Sequence, residues 1–229
     1  MARTRAIGRH RAIVDAAVVL FMQRGYAATR MEMIAEEAGV APGTLYLYAA
    51  GKDALFDLAL HAAFGEPRLD PGSGPHRLPD RASVIEATWR LVRERARFPR
   101  LERAAELPEV DDAGAEFEAV VAEFYDWLAR YWRGIRMVEK CALEWPELSL
   151  FFYRELRRGG LDRLERYLEG RAREGRLHAM PDAGVAARFV LETVSFFAMH
   201  RHTAPDSAGL DRPATRATVL AVLRRAFVP

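Results

Sequence analysis

The chain of 229 residues is 50% hydrophobic and 29% charged, a globular balance that excludes disorder and collagen-like repeats. No window approaches eighteen uncharged apolar residues, the basic start at 1–11 lacks a signal-peptide core, and a single cysteine, Cys141, excludes a disulfide framework or a Cys-rich zinc site. The chain therefore reads as cytoplasmic. Its net charge of +2 is uneven: residues 1–52 sum to +3 and the rest to −1. A basic head on a near-neutral body fits a polyanionic partner at the head, and equally fits a merely Arg-rich terminus.

Helical periodicity dominates. From Arg9, the apolar set Ile13, Ala16, Ala17, Leu20 and Phe21 marks one helix face, and Gly25 supplies a left-handed C-terminal residue. Thr29 and Glu32 form a capping box opening a second helix to Ala38. Ala41-Pro42 opens a third helix through Tyr48, and a fourth starts near Lys52 and Asp53. Residues 65–81, rich in Pro and Gly, predict a loop or hinge. Further helices are expected over Ser83–Phe98, around Leu101–Leu107, over Ala115–Ala142, over Pro146–Glu174 with a bend at Gly159-Gly160, and over Ala183–His202 and Pro213–Phe227. The fold class is all-α with about nine or ten helices: a three-helix head at 1–52 and a helical body at 53–229.

Within the head, Ala35-x3-Gly39-x5-Leu45 has helix-turn-helix spacing. Ala35 is small where the next helix crosses, Gly39 suits a left-handed turn, and Ile34, Val40 and Leu45 fill the crossing. The helix at Ala41–Tyr48 is then offered outward to a DNA major groove.

The run Phe21, Gly25-Tyr26, Thr29, Ile34-Ala35, Ala38-Gly39-Val40, Gly43-Thr44-Leu45-Tyr46, Tyr48, Lys52-Asp53 and Leu55 resembles the DNA-binding domain of the tetracycline-repressor (TetR) family, over about residues 9–58. The resemblance implies an all-helical homodimer, mostly a repressor that leaves a palindromic operator when a small molecule binds its C-terminal domain. It further implies phosphate contacts from Thr44, Tyr46, Tyr48 and Lys52, and backbone or base-edge contacts near Thr29 and Arg30. Pro42, Gly43 and Leu47 match the base-facing part of the recognition helix. Their few hydrogen-bonding groups leave thymine methyl contacts and DNA shape as the means of readout. Arg3, Arg5 and Arg9 could serve as a flexible minor-groove arm. Two positions depart from the pattern: Ala49 stands where the family usually has Phe, and Gly51 where it usually has Ser or Asn.

In the body, the resemblance places an effector pocket near Trp89, Phe124 and Trp132, each also an ordinary core residue by type. The two-faced apolar pattern of Ala183–His202, with the last turns of Pro146–Glu174, predicts a homodimer interface. Two-fold symmetry would set the recognition helices about 34 Å apart or a multiple of that. His200 and His202, at i and i+2, point to different faces and do not complete a metal site. No catalytic constellation, phosphate loop or cofactor motif is legible, so no enzyme and no cofactor is expected. The expected partners are a double-stranded DNA operator, an unidentified small-molecule effector and a second copy of the chain, with no membrane. The alternative is a helical small-molecule binder or enzyme in which the head is only structural.

Overall fold

The computed structural model describes residues 2–68, 74–78, 80–106, 110–207 and 209–229. Positions 69–73 and 79 of the expected loop, and Leu107 at the end of an expected helix, lie outside the described residues, as does the side chain of Arg3. The helices are α1 (Ala2–Ala28), α2 (Met31–Glu37), α3 (Pro42–Leu45), α4 (Lys52–Ala63), α5 (Arg81–Arg95), α6 (Pro99–Glu106), α7 (Ala113–Ala142), α8 (Pro146–Ser149), α9 (Gly159–Arg173), α10 (Ala183–Ala198) and α11 (Arg212–Phe227). A π-helical stretch, Leu150–Arg158, joins α8 to α9. Among the described residues the only β-pairing is an isolated parallel bridge between Ala49 and His76, and no helix is long and apolar enough to cross a membrane.

Packing divides the chain into two units, residues 1–95 with 133–152, and residues 96–132 with 153–229. Neither unit ends at residue 52, where the sequence divides head from body. The reason is an aromatic cluster drawn from three parts of the chain. Phe21 of α1 meets Phe56 of α4 edge-on at 5.2 Å, and Trp145, which precedes α8, lies 5.6 Å from Phe56 and 4.9 Å from Tyr26. Phe21, Phe56 and Trp145 are buried. Side chains of this size contribute most of the apolar area a small core can bury, so the head does not pack as a module separate from α4.

In the second unit, Phe117, Val120, Val121, Phe124 and Leu128 form a buried apolar stripe along α7. Phe117 stacks on Phe227 at 5.2 Å and Phe124 on Phe98 at 4.4 Å. The buried Arg171 guanidinium is fully engaged, donating to both Glu116 oxygens, to Glu174 and to the Ala104 carbonyl. That satisfies the condition under which a charge can be buried. Asp182 and Asp211 accept from Val185 N–H and Ala214 N–H, capping α10 and α11.

Three local expectations change. The helix expected from Arg9 begins at Ala2, so Arg5 and Arg9 lie on a helix and not on a flexible arm. The break expected at Gly159-Gly160 is a change of helix type, the π-helix ending at Arg158 and α9 beginning at Gly159. On α10, Ala187, Val190 and Val194 are buried while Val185 and Phe189, 67% and 57% exposed, stand on another face with Phe196. The apolar residues Leu161, Leu164, Tyr167 and Leu168 of α9 are buried instead, and on α11 Val222 is exposed.

Candidate nucleic-acid interface

The turn between α2 and α3 closes by its expected chemistry. Gly39, at φ 65°, donates to the Glu36 carbonyl at 3.0 Å, and Val40 donates to the Ala35 carbonyl at 2.9 Å. That is the paired bonding of a helix ended by a left-handed residue, and it satisfies two otherwise orphaned carbonyls. Ile34, Ala35 and Leu45 are buried where the two helices cross. Pro42 occupies the start of α3, where its missing N–H removes no helical bond. The α-helix ends at Leu45, earlier than expected. Leu47 N–H and Tyr48 N–H then bond three residues back, to Thr44 and Leu45, tightening the coil before Ala49 returns to Leu45.

This construction turns Ala41, Pro42, Gly43, Tyr46 and Leu47 outward, with Leu47 65% exposed, and leaves Thr44 half-buried. Arg30, just before α2, is also exposed. The outward residues of α3 carry no charge.

Thr29 and Tyr48 sit differently from expectation. Thr29 is fully buried and does not form the expected cap: its hydroxyl donates to the Gly25 carbonyl at 2.7 Å and the Leu20 carbonyl at 3.2 Å, while Arg30 is the residue at the start of α2. A Thr hydroxyl can donate to a nearby backbone carbonyl as well as cap a helix, and here it donates back to α1. With no open surface, Thr29 holds the α1–α2 turn and cannot meet DNA in this conformation. Tyr48 is buried as well, its ring 4.9 Å from that of His10 and its hydroxyl donating to the Ala6 carbonyl. Both side chains are buried and bond to the backbone of α1.

Lys52 is half-buried at the start of α4. Its ammonium donates to the Ala27 carbonyl at 3.3 Å and lies 4.2 Å from the centre of the Tyr26 ring. Burial holds its pKa below the usual lysine range, while Asp53 and Glu144 pull the other way. Tyr26 itself bonds to Asp53, and burial first, then that bond, pushes its phenol up. Gly51 caps α4 in an extended conformation that any residue adopts, so the departure there is structurally neutral.

One contributor carries no sequence signal. Glu144 accepts from Ala27 N–H at 2.7 Å across 117 residues, and its carboxylate lies against Gly25. Nothing in local spacing marks a partner so distant.

The three aromatics proposed for a ligand do not share one site. Trp89, in the first unit, stacks on Phe151 at 5.4 Å, and its buried indole N–H has no acceptor among the described residues. In the second unit Phe124 stacks on Phe98, and the half-buried Trp132 stacks on His202 at 4.5 Å. A cavity of about 300 Å³ in the second unit is lined by none of the three; Leu168, His178, Met180 and Phe227 are among its walls.

Residues 13–59 match the model of the bacterial regulatory proteins of the tetR family. An uncharacterized HTH-type transcriptional regulator of Bacillus subtilis, YhgD, is 42% identical over 52 residues, covering 23% of this chain and 27% of that protein. An HTH-type transcriptional regulator of Saccharopolyspora erythraea is 38% identical over 73 residues, 32% of this chain and 31% of that one. The chain thus spans about a third or less of the length of these curated relatives. The fold likeness extends further. The ketosteroid transcriptional regulator KstR2 of Mycobacterium tuberculosis aligns over 96% of this chain and 95% of its own, with a TM-score of 0.60 at 14% identity. The regulator AibR, solved with isovaleryl coenzyme A and operator DNA, aligns over 96% and 100% with a TM-score of 0.53 at 18% identity. Residues 13–59, which hold the turn and crossing described above, are thus similar to the DNA-binding region of the tetR family of bacterial regulatory proteins, and the remainder shares the fold of the solved regulators.

Proposed function

We propose that this protein is a cytoplasmic, ligand-responsive transcriptional regulator, a repressor, that binds a palindromic operator as a homodimer and leaves it when a small molecule occupies the body. The observation that carries the reading is the outward face of Ala41, Pro42, Gly43, Tyr46 and Leu47, held over the buried Ile34, Ala35 and Leu45. A short helix with its inner face locked and its outer face bare is the form in which side chains reach base edges. Arg30, Thr44, Tyr46 and Lys52 are the proposed phosphate and sugar contacts, which set register and salt dependence. Pro42, Gly43 and Leu47 face the bases and read them through methyl contact and groove shape.

The second copy is supported by α10, whose Val185, Phe189 and Phe196 form an exposed apolar face opposite its buried one, and by Val222 of α11. An uncovered face of this kind calls for a partner. An isologous pairing would present two recognition helices to two half-sites.

For the effector, the unpaired N–H of Trp89 supports a polar anchor beside apolar walls. Phe124 and Trp132 are further candidates on α7. A ketosteroid regulator and a regulator solved with an acyl coenzyme A share this fold, so the fold leaves the ligand class open. Ligand binding acts by displacing α4, which changes the separation of the two heads.

A mobility shift with the DNA upstream of the protein's own coding region, at two salt concentrations, tests the reading. Site-specific binding that weakens steeply with salt supports it. Absence of any shift at low salt contradicts it.

A further inference from the structure

The recognition element is too short to hold its own pose. Four α-helical residues and a tightened turn lie far below the length at which a helix is stable alone, so neighbouring groups must fix its position. At its front, the buried crossing residues do this. At its rear end, two separate holds meet. Tyr48 is tied to α1 through Ala6 and His10. The other hold comes from the segment between α4 and α5.

There the Ala49–His76 bridge joins the chain just past the recognition element to residue 76. Ala50 N–H donates to the His76 carbonyl at 2.9 Å, and His76 N–H donates to the Tyr48 carbonyl at 2.8 Å. Ala49, between these bonds, has no exposed surface. This is the position where the sequence carries Ala in place of the bulkier Phe its family pattern favours. The side chain of His76 continues the tie in the opposite direction. Its Nε2 lies 2.8 Å from Oδ2 of Asp57, a fully buried carboxylate on α4. Arg68 Nη1 approaches the same oxygen at 3.4 Å, and the His61 ring faces the other oxygen at 3.8 Å. Both hydrogen bonds fall on Oδ2, that from His76 being the shorter, so His76 is the closest hold on a side chain shut off from water.

We propose that His76 is a positioning residue for DNA binding. It clamps the rear of the recognition element to α4, through its backbone on one side and the Asp57 carboxylate on the other. Displacement of α4 would then reach the DNA-facing residues through this clamp. The proposal rests on the DNA-binding reading above.

The test uses the full-length protein and a 30-base-pair duplex enriched by the wild-type chain from a random library. Affinity is read by fluorescence anisotropy over a range of salt, with amide hydrogen exchange alongside. His76→Ala should weaken binding about tenfold, the equivalent of one charge-assisted hydrogen bond. The slope of log affinity against log salt should stay unchanged, because no phosphate contact is removed. The Ala50 amide should exchange faster while the α1 core amides keep their protection. His76→Gln places an amide nitrogen near the Nε2 position and should recover most of the affinity. His76→Asn, one carbon shorter, should not.

Wild-type affinity in the Ala variant overturns the proposal, as does an equal loss in the Gln and Ala variants or a loss shared by the α1 amides. A wild-type chain that enriches no duplex overturns the DNA-binding reading together with it.

Discussion

The carboxylate of Glu144 occupies the space that a side chain on Gly25 would need: a Cβ built there lies 2.7 Å from Oε1. Gly25 has φ 81° and ψ 180°, an extended region open essentially to glycine alone that kinks α1, instead of the left-handed helical cap the sequence predicts there. Backbone and neighbour therefore require the same residue. Gly25→Ala is expected to cost about 3 kcal/mol of unfolding free energy, part backbone strain and part displacement of Glu144. In a Glu144→Ala background the added cost should fall toward the backbone part, about 1–2 kcal/mol. Urea titration of the four chains measures the coupling, and strict additivity would contradict the contact.

Burial pushes the His61 pKa down to about 4, against the opposing pull of Asp57. The folded state thus keeps His61 neutral where the unfolded chain, near 6.5, takes up a proton. Between these values the unfolded state binds more protons, so stability is lost as pH falls from about 6.5 toward 4, by up to about 1.4 kcal/mol per pH unit from this group. Above pH 7 the group contributes no slope. Urea midpoints at pH 7, 6 and 5 should show the decline, and His61→Leu should flatten it. An equal decline in the variant would assign it to other groups.

Cys141 is fully buried, with its thiol directed at the Phe21 carbonyl, and burial pushes its pKa up to about 12. The reactive thiolate is therefore scarce and shielded. Iodoacetamide at pH 8 should leave the native protein unmodified over a time that fully labels it in urea. Stoichiometric native labelling would contradict the packing of α7 against α1.

How much of this was legible depends on whether the determinant was local. The α2–α3 turn was, because Gly39, Ala35 and Leu45 act within eleven residues of one another and each has a single role. The α7 stripe was, because its period is that of one helix face. The capping box was not: Thr29 and Glu32 have the right spacing, but the Thr29 hydroxyl bonds back to α1 carbonyls, and α2 starts without a side-chain cap. Tyr48 reads as an exposed phosphate contact by position, and is buried because α1 extends back to Ala2, beyond where its apolar period starts. Glu144, Trp145 and His76 act on the head across long stretches of chain, and no spacing rule reaches that far.

The outer face of α10 supplies a test of assembly. Phe189 is 57% exposed, so Phe189→Arg should leave the fold intact. In the proposed homodimer this places a cation in an apolar isologous contact, and the variant should sediment as a monomer, at half the mass of the wild-type assembly. A dimer of unchanged affinity would move the interface elsewhere.

The central claim is that the Ala41–Leu47 face enters DNA, and Leu47→Glu tests it most directly. Leu47 is 65% exposed, so thermal stability should change little. A carboxylate set among phosphates and base edges should lower affinity for the enriched duplex by at least about a hundredfold, the cost of an unpaired charge held in the groove. Wild-type affinity in a normally folded Leu47→Glu protein would contradict the account.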